Sequence, residues 1–158
     1  MLGQFPLKGE LMNAIWICLA AAGGACIAIQ SAANGSLRTN LGDPRYAAFF
    51  SICGTIATAV IAMLAIRPSP PPATAFHAAP WWNWAGGPLG AMFVLAGAAL
   101  TPKLGSAAFI AAVVGGQLVC SLLLDHFGLM DLHQQDLSVG RFVGAAMVFV
   151  GVLLVVYR

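Results

Sequence analysis

The sequence predicts an all-α membrane protein with five transmembrane helices, and three observations carry that prediction. Of the 158 residues 60% are hydrophobic and 8% are charged, with a net charge of +2; mean hydropathy is +0.89. A soluble domain carries about 25% charged residues to cover its surface, so this chain has too little polar surface to face water. Second, the apolar residues gather into five stretches, 14–33, 47–66, 84–100, 105–124 and 139–157. At about 1.5 Å rise per residue each crosses, or nearly crosses, a hydrocarbon core about 30 Å thick. Third, the stretches are apolar all round, without the alternation of barrel strands, so helices are the spanning element. The small, scattered positive charge excludes a nucleic-acid-binding surface.

Residues 1–12 read as a polar leader ahead of a single five-helix domain over 13–158, with Met12 as an alternative start. Ser31-Ala32-Ala33 after the first stretch has signal-peptidase character, with Lys8 as a basic flank. That stretch, however, exceeds the roughly 7–15 apolar residues of a signal peptide. The first span is expected to close at Asn34-Gly35, followed by a loop holding Arg38, Asp43 and Pro44. The second closes at Arg67-Pro68, because proline disfavours helical backbone in the residue before it. Residues 68–72 form a stiff proline-rich connector. Trp81, Trp82 and Trp84 form an interfacial belt where the third span begins. Thr101-Pro102-Lys103-Leu104-Gly105 is expected to turn tightly, making the third and fourth spans an antiparallel hairpin. An acidic loop over 125–138 leads to the fifth span.

Small residues recur at four-residue spacing: Ala20, Gly24 and Ala28; Gly86 and Gly90; Ala111 and Gly115; Gly140 and Gly144. Such faces let helix backbones approach closely in lipid; they serve packing within the chain or against a second subunit. Five crossings place Lys8, Arg67 and Arg141 on one side and Arg38, Arg45, Lys103 and Arg158 on the other. Orientation follows a clear Lys/Arg excess, and this chain has almost none. This balance is expected of insertion both ways with antiparallel pairing or of pairing with a partner of opposite bias; the alternative is an excess concealed by where the spans end, as at Arg141. Cys18, Cys26, Cys53 and Cys120 lie inside spans, as small hydrophobes and not as a disulfide framework.

Polar side chains within lipid need partners or a cavity. Gln30 and Asn34 share a face of the first span, and Gln117 and Ser121 share one of the fourth. Ser51, Thr55 and Thr58 can satisfy their hydroxyls on their own helix backbone; a glutamine does so less easily. The candidates for a substrate path are therefore Gln30, Asn34, Gln117 and Ser121, with interhelical hydrogen bonding as the alternative role. Asp125 and His126, at the end of the fourth span, are the proton-coupling candidates, since histidine titrates near physiological pH. Asp125, His126, Asp131, His133 and Asp136 match no metal-ligand or catalytic spacing, so neither an enzyme, a metal site nor a cofactor is expected.

Several segments together resemble the YdcZ-like branch of the drug/metabolite transporter superfamily. They are Gln30-Ser31-Ala32-Ala33-Asn34-Gly35-Ser36-Leu37, Trp81-Trp82-Asn83-Trp84-Ala85-Gly86-Gly87-Pro88-Leu89-Gly90 and Pro102-Lys103-Leu104-Gly105-Ser106-Ala107. Gly116-Gln117-Leu118, Asp125-His126-Phe127-Gly128-Leu129 and Arg141-Phe142-Val143-Gly144 complete the set. The resemblance covers about 12–157 in order. It implies a bacterial inner-membrane exporter of small metabolites or drugs, and half of a ten-helix, inverted-repeat architecture. In such architectures the substrate site lies near the midplane where the repeats meet. The implied partners are a second copy or another five-helix protein, lipid and a small molecule. The first span lacks the buried glutamate on which small multidrug resistance exchangers rely, so their mechanism is not carried over. A non-transporting assembly or regulatory subunit is the competing reading.

Overall fold

The computed structural model describes residues 6–157. Among the described residues six α-helices follow one another: α1 (Pro6–Leu41), α2 (Pro44–Ile66), α3 (Ala73–Ala78), α4 (Gly86–Leu104), α5 (Ser106–Phe127) and α6 (Val139–Val156). Short 3₁₀ turns occupy Trp81–Trp84 and Leu129–Asp131. Five segments are long and apolar enough to cross a membrane: Met12–Leu41, Pro44–Ile66, Trp81–Leu104, Ser106–Phe127 and Val139–Val156. The predicted number of spans is therefore found; several of their ends move.

The largest correction is α1, a helix of 36 residues where the apolar pattern predicts a span over 14–33. Of the expected leader, residues 1–5 lie outside the described residues and the rest belongs to α1. At its other end the helix runs through Asn34-Gly35 and Arg38, and the chain turns only at Gly42, which holds φ 76. Gly35 does not break the helix because it is buried in packing: a Cβ there would lie 3.2 Å from the Pro102 ring. Tertiary contact outweighs the weak helix propensity of Asn-Gly.

Helix α2 starts at Pro44, which needs no N–H at the first helical position. Asp43 caps it, its carboxylate accepting the Arg45 backbone N–H at 2.7 Å and the Arg45 guanidinium at 2.6 Å. These bonds hold the Asp43 carboxyl at about 2. The other end closes where expected, with Arg67 in left-handed conformation before Pro68. Residues 68–72 are irregular, as predicted, and a short unpredicted helix, α3, follows. Phe76 stacks on Trp84 with ring centroids 6.1 Å apart, which ties that helix to the tryptophan belt.

Helix α4 continues through Pro102 to Leu104 instead of ending near residue 100. There the proline removes the hydrogen bond to the carbonyl four residues back, Ala98, and crowds that carbonyl with its ring, but only two helical residues follow it. The turn to α5 is left to Gly105 at φ 83, so the predicted antiparallel hairpin forms with a shorter loop. Helix α5 extends to Phe127, which moves Asp125 and His126 out of the expected acidic loop and into helix. Gly128, in left-handed conformation, stops it. Ser138 caps α6 by accepting the Arg141 backbone N–H.

Burial concentrates at one end of the bundle. Among the described residues, those buried are Ser31, Asn34 and Gly35 late in α1, Ala47 and Ala48 early in α2, Gly97, Ala98 and Thr101 late in α4, and Phe109 early in α5, with Gly115 alone midway along α5. Antiparallel succession brings these four helix portions to the same side. Towards the other side α1, α2 and the start of α4 are exposed, and added Cβ atoms on Gly24, Gly54, Gly86 or Gly90 would meet nothing within 4 Å. Helix α6 packs along α5, with Val152 against Gly115 at 3.4 Å from a Cβ built there. Of the predicted small-residue faces, Ala111–Gly115 is thus used within the chain; Gly24, Gly86, Gly90 and Gly144 are open. The four cysteines are free and exposed.

Candidate substrate path

The crossing of α1 and α4 is both close and polar. Helix α1 meets α4 where Gly97 faces Ser31: a Cβ on Gly97 would come within 3.2 Å of the Ser31 Oγ. Ser31 is 2%, Asn34 6% and Thr101 7% exposed, so three polar side chains are more than nine-tenths buried together. The Thr101 Oγ1 has no hydrogen-bond partner, an uncommon and costly state for a buried hydroxyl. Arg38, partly buried, donates from Nη1 to the Ala99 carbonyl across the crossing at 3.2 Å. That carbonyl is next to the one that Pro102 leaves without a donor. Thr39 donates its hydroxyl to the Gly35 carbonyl at 3.1 Å, and a cavity of about 180 Å³ opens beside Gly35, Thr39 and Thr101.

The predicted path residues divide between two places. Asn34 is buried and Gln30 partly buried, one turn apart on α1 at the packed end. Gln117 and Ser121 are exposed on α5. Around the same helix Ala112, Gly116 and Cys120 are exposed too, and a Cβ on Gly116 would touch nothing. One chain therefore buries the first pair and leaves the second uncovered.

Asp125 and His126 sit in the last turn of α5 in different surroundings. The Asp125 carboxylate is bound by the Arg141 guanidinium of α6. Arg141 also donates to the Gln135 carbonyl at 3.3 Å, and the Gln135 N–H returns to the Asp125 backbone carbonyl at 2.8 Å. Gln134 donates its side-chain amide to the His126 carbonyl at 3.0 Å. The loop is folded back on the end of α5 by these bonds. The His126 Nδ1 is buried without a partner, and its ring meets Phe127 edge-on at 4.9 Å. It borders an apolar cavity of about 470 Å³ between α5 and α6, walled by Leu122, Phe142 and Phe149 among others.

Two residues here carry more than their sequence reading gave them. By sequence Arg38 is a loop charge and Arg141 a charge at the head of the Arg141–Gly144 segment, with no partner indicated for either. Arg38 continues the four-residue spacing of Gln30 and Asn34, a signal hidden by ending the first span too early. The Asp125–Arg141 pair spans 16 positions and two helices, and no local pattern announces it.

No curated protein and no solved structure matches the chain. Residues 15–154 match the family described as "Putative inner membrane exporter, YdcZ", so the chain belongs to that family, DMT_YdcZ, and is a multi-pass protein of the inner membrane.

Proposed function

We propose that this chain is one half of a small-molecule exporter that works as a dimer by alternating access. The second half is another copy inserted in the opposite sense, or a related five-helix protein, so that two inverted sets of five helices enclose the path. The observation that carries this reading is Gln117. It sits midway along α5 and is exposed, and an amide facing hydrocarbon at that depth lacks the partners it would have in water. A second subunit over the α5 face would cover Gln117 and Ser121 and turn them toward a shared polar interior. The open, small-residue faces of Gly24, Gly86, Gly90 and Gly144 support the same arrangement, because close helix approach in lipid depends on such residues.

In this reading Gln30, Asn34, Gln117 and Ser121 line the path. Asp125 and His126 couple it to protons: His126 carries an unpartnered ring nitrogen and Asp125 is steadied by Arg141. The near balance of Lys and Arg across the membrane supports insertion both ways.

The test is flux. Purified protein in liposomes, with and without a pH gradient, is offered a panel of small polar metabolites and drugs. Gln30→Ala and Gln117→Ala should each lower transport roughly two- to tenfold, about the worth of one hydrogen bond, while still inserting and pairing. Unchanged transport in both variants would remove these residues from the path. No flux across the whole panel would favour a non-transporting subunit.

A further inference from the structure

Arg38 is a partly buried cation with no counter-ion among the described residues. The chain has five acidic residues; Asp43 is bound by Arg45 and Asp125 by Arg141. Arg38 forms no ion pair among the described residues. Its hydrogen bond goes to a neutral carbonyl, Ala99, from one of the five N–H donors a guanidinium carries. The Ala99 carbonyl and the negative end of the α1 dipole hold the side chain in place, but neither neutralises it. Asp43 feels the Arg38 charge, yet its carboxylate is already engaged by the Arg45 backbone and side chain. This end of the bundle carries Arg38, Arg45 and Lys103 against Asp43 alone.

The uncompensated charge is not isolated. Gln30, Asn34 and Arg38 stand at successive four-residue steps along α1, one above another on one side of the helix. Asn34 is 6% exposed and Gln30 and Arg38 are partly exposed; along α1 the two amides stand about one and two turns further into the span than the guanidinium. Amides both donate and accept, whereas the guanidinium only donates. The order is a charged group near the membrane surface, followed inward by neutral hydrogen-bonding groups.

We propose that this stripe recognises the anionic group of the transported molecule, so that the substrates are small organic acids. The inference rests on the transporter reading for the word "transported", but the anion site stands by itself. Arg38 offers a planar fork to a carboxylate; Asn34 and Gln30 hold polar groups further along the molecule. A lipid phosphate offers similar chemistry from a different source, and the experiment separates the two.

The experiment uses the full chain in phosphatidylcholine nanodiscs, with benzoate, benzamide and benzylamine as probes that share a ring and differ in charge. Benzoate should raise the thermal midpoint, and benzamide and benzylamine should not. Arg38→Gln should abolish the shift, while Arg38→Lys, which keeps the charge without the fork, should weaken benzoate binding roughly tenfold. A shift common to all three probes, a shift that survives Arg38→Gln, or none with any probe overturns the proposal. If Arg38→Gln does not fold, an unchanged benzoate affinity in Arg38→Lys does the same. Stabilisation by added phosphatidylglycerol that benzoate cannot reproduce assigns the stripe to headgroups and overturns the substrate class. Parallel flux measurements keep the two readings apart. Benzoate bound through Arg38 but never transported would leave the site and remove the transporter; benzylamine transported equally by wild type and Arg38→Gln would do the reverse.

Discussion

Gly97 is where a single atom decides the packing of the bundle. Its missing Cβ makes room for the Ser31 hydroxyl, and the space is too tight for an alanine unless Ser31 or the backbone shifts. Gly97→Ala should therefore destabilise the protein by about 1–3 kcal/mol, the usual range for overpacking a filled interior. Ser31→Gly in the same chain should recover most of that loss; a thermal or denaturant midpoint of the two variants checks it. Across the same crossing the unpartnered Thr101 hydroxyl and the carbonyl freed by Pro102 lie close in sequence on α4. The residues that seal the bundle are thus small and polar where a soluble core would be large and apolar. That is expected in lipid, where neither burial nor exposure of an aliphatic side chain drives helices together.

Among the elements, α5 and α6 form the most self-contained unit. The ion pair between Asp125 and Arg141, with the bonds of Gln134, Gln135 and Ser138, ties the loop between them to both helix ends. Asp125→Arg or Arg141→Asp alone should open residues 128–138 to limited proteolysis and speed exchange of the Gln135 amide. The double reversal should restore protection; a loop equally protected in both single variants would deny the pair that role. Little of this unit was legible beforehand. The spans themselves are readable because hydrocarbon imposes length and polarity on them. So are the Asp43-Pro44 start and the Arg67-Pro68 stop of α2, where one or two residues set the local backbone. Asn34-Gly35 and Pro102 misled for one shared reason: each is a breaker by propensity and a packing residue in place, Gly35 lying against the Pro102 ring. What decides them is a contact between residues 67 apart in the chain, which no local window contains. Gln30 and Asn34 were legible as polar groups within the first span, while their separation from Gln117 and Ser121 in one chain was not.

At the scale of the whole molecule, packing is uneven: four helices close at one end, and the α5 face that carries Gln117 stands open. An antiparallel pair joined through that face at Gln117 brings together residues on the same face that precede and follow Gln117 by about one turn. Val114→Cys in one copy and Ser121→Cys in the other, both exposed on the Gln117 side of α5, in a background lacking the native cysteines, should then cross-link to each other in membranes. A parallel pair would instead link Val114→Cys to itself. The native Cys120 lies on the same exposed face, so it must be removed before either product is scored.

The five crossings also bear on how a longer protein could be made from this one. An odd-numbered unit ends on the opposite side of the membrane from where it began. A second copy joined directly behind the first would start from that far side, and every helix in it would run inverted. Head-to-tail duplication of this gene would therefore yield two oppositely oriented halves in one polypeptide, with no added helix and no change to either half.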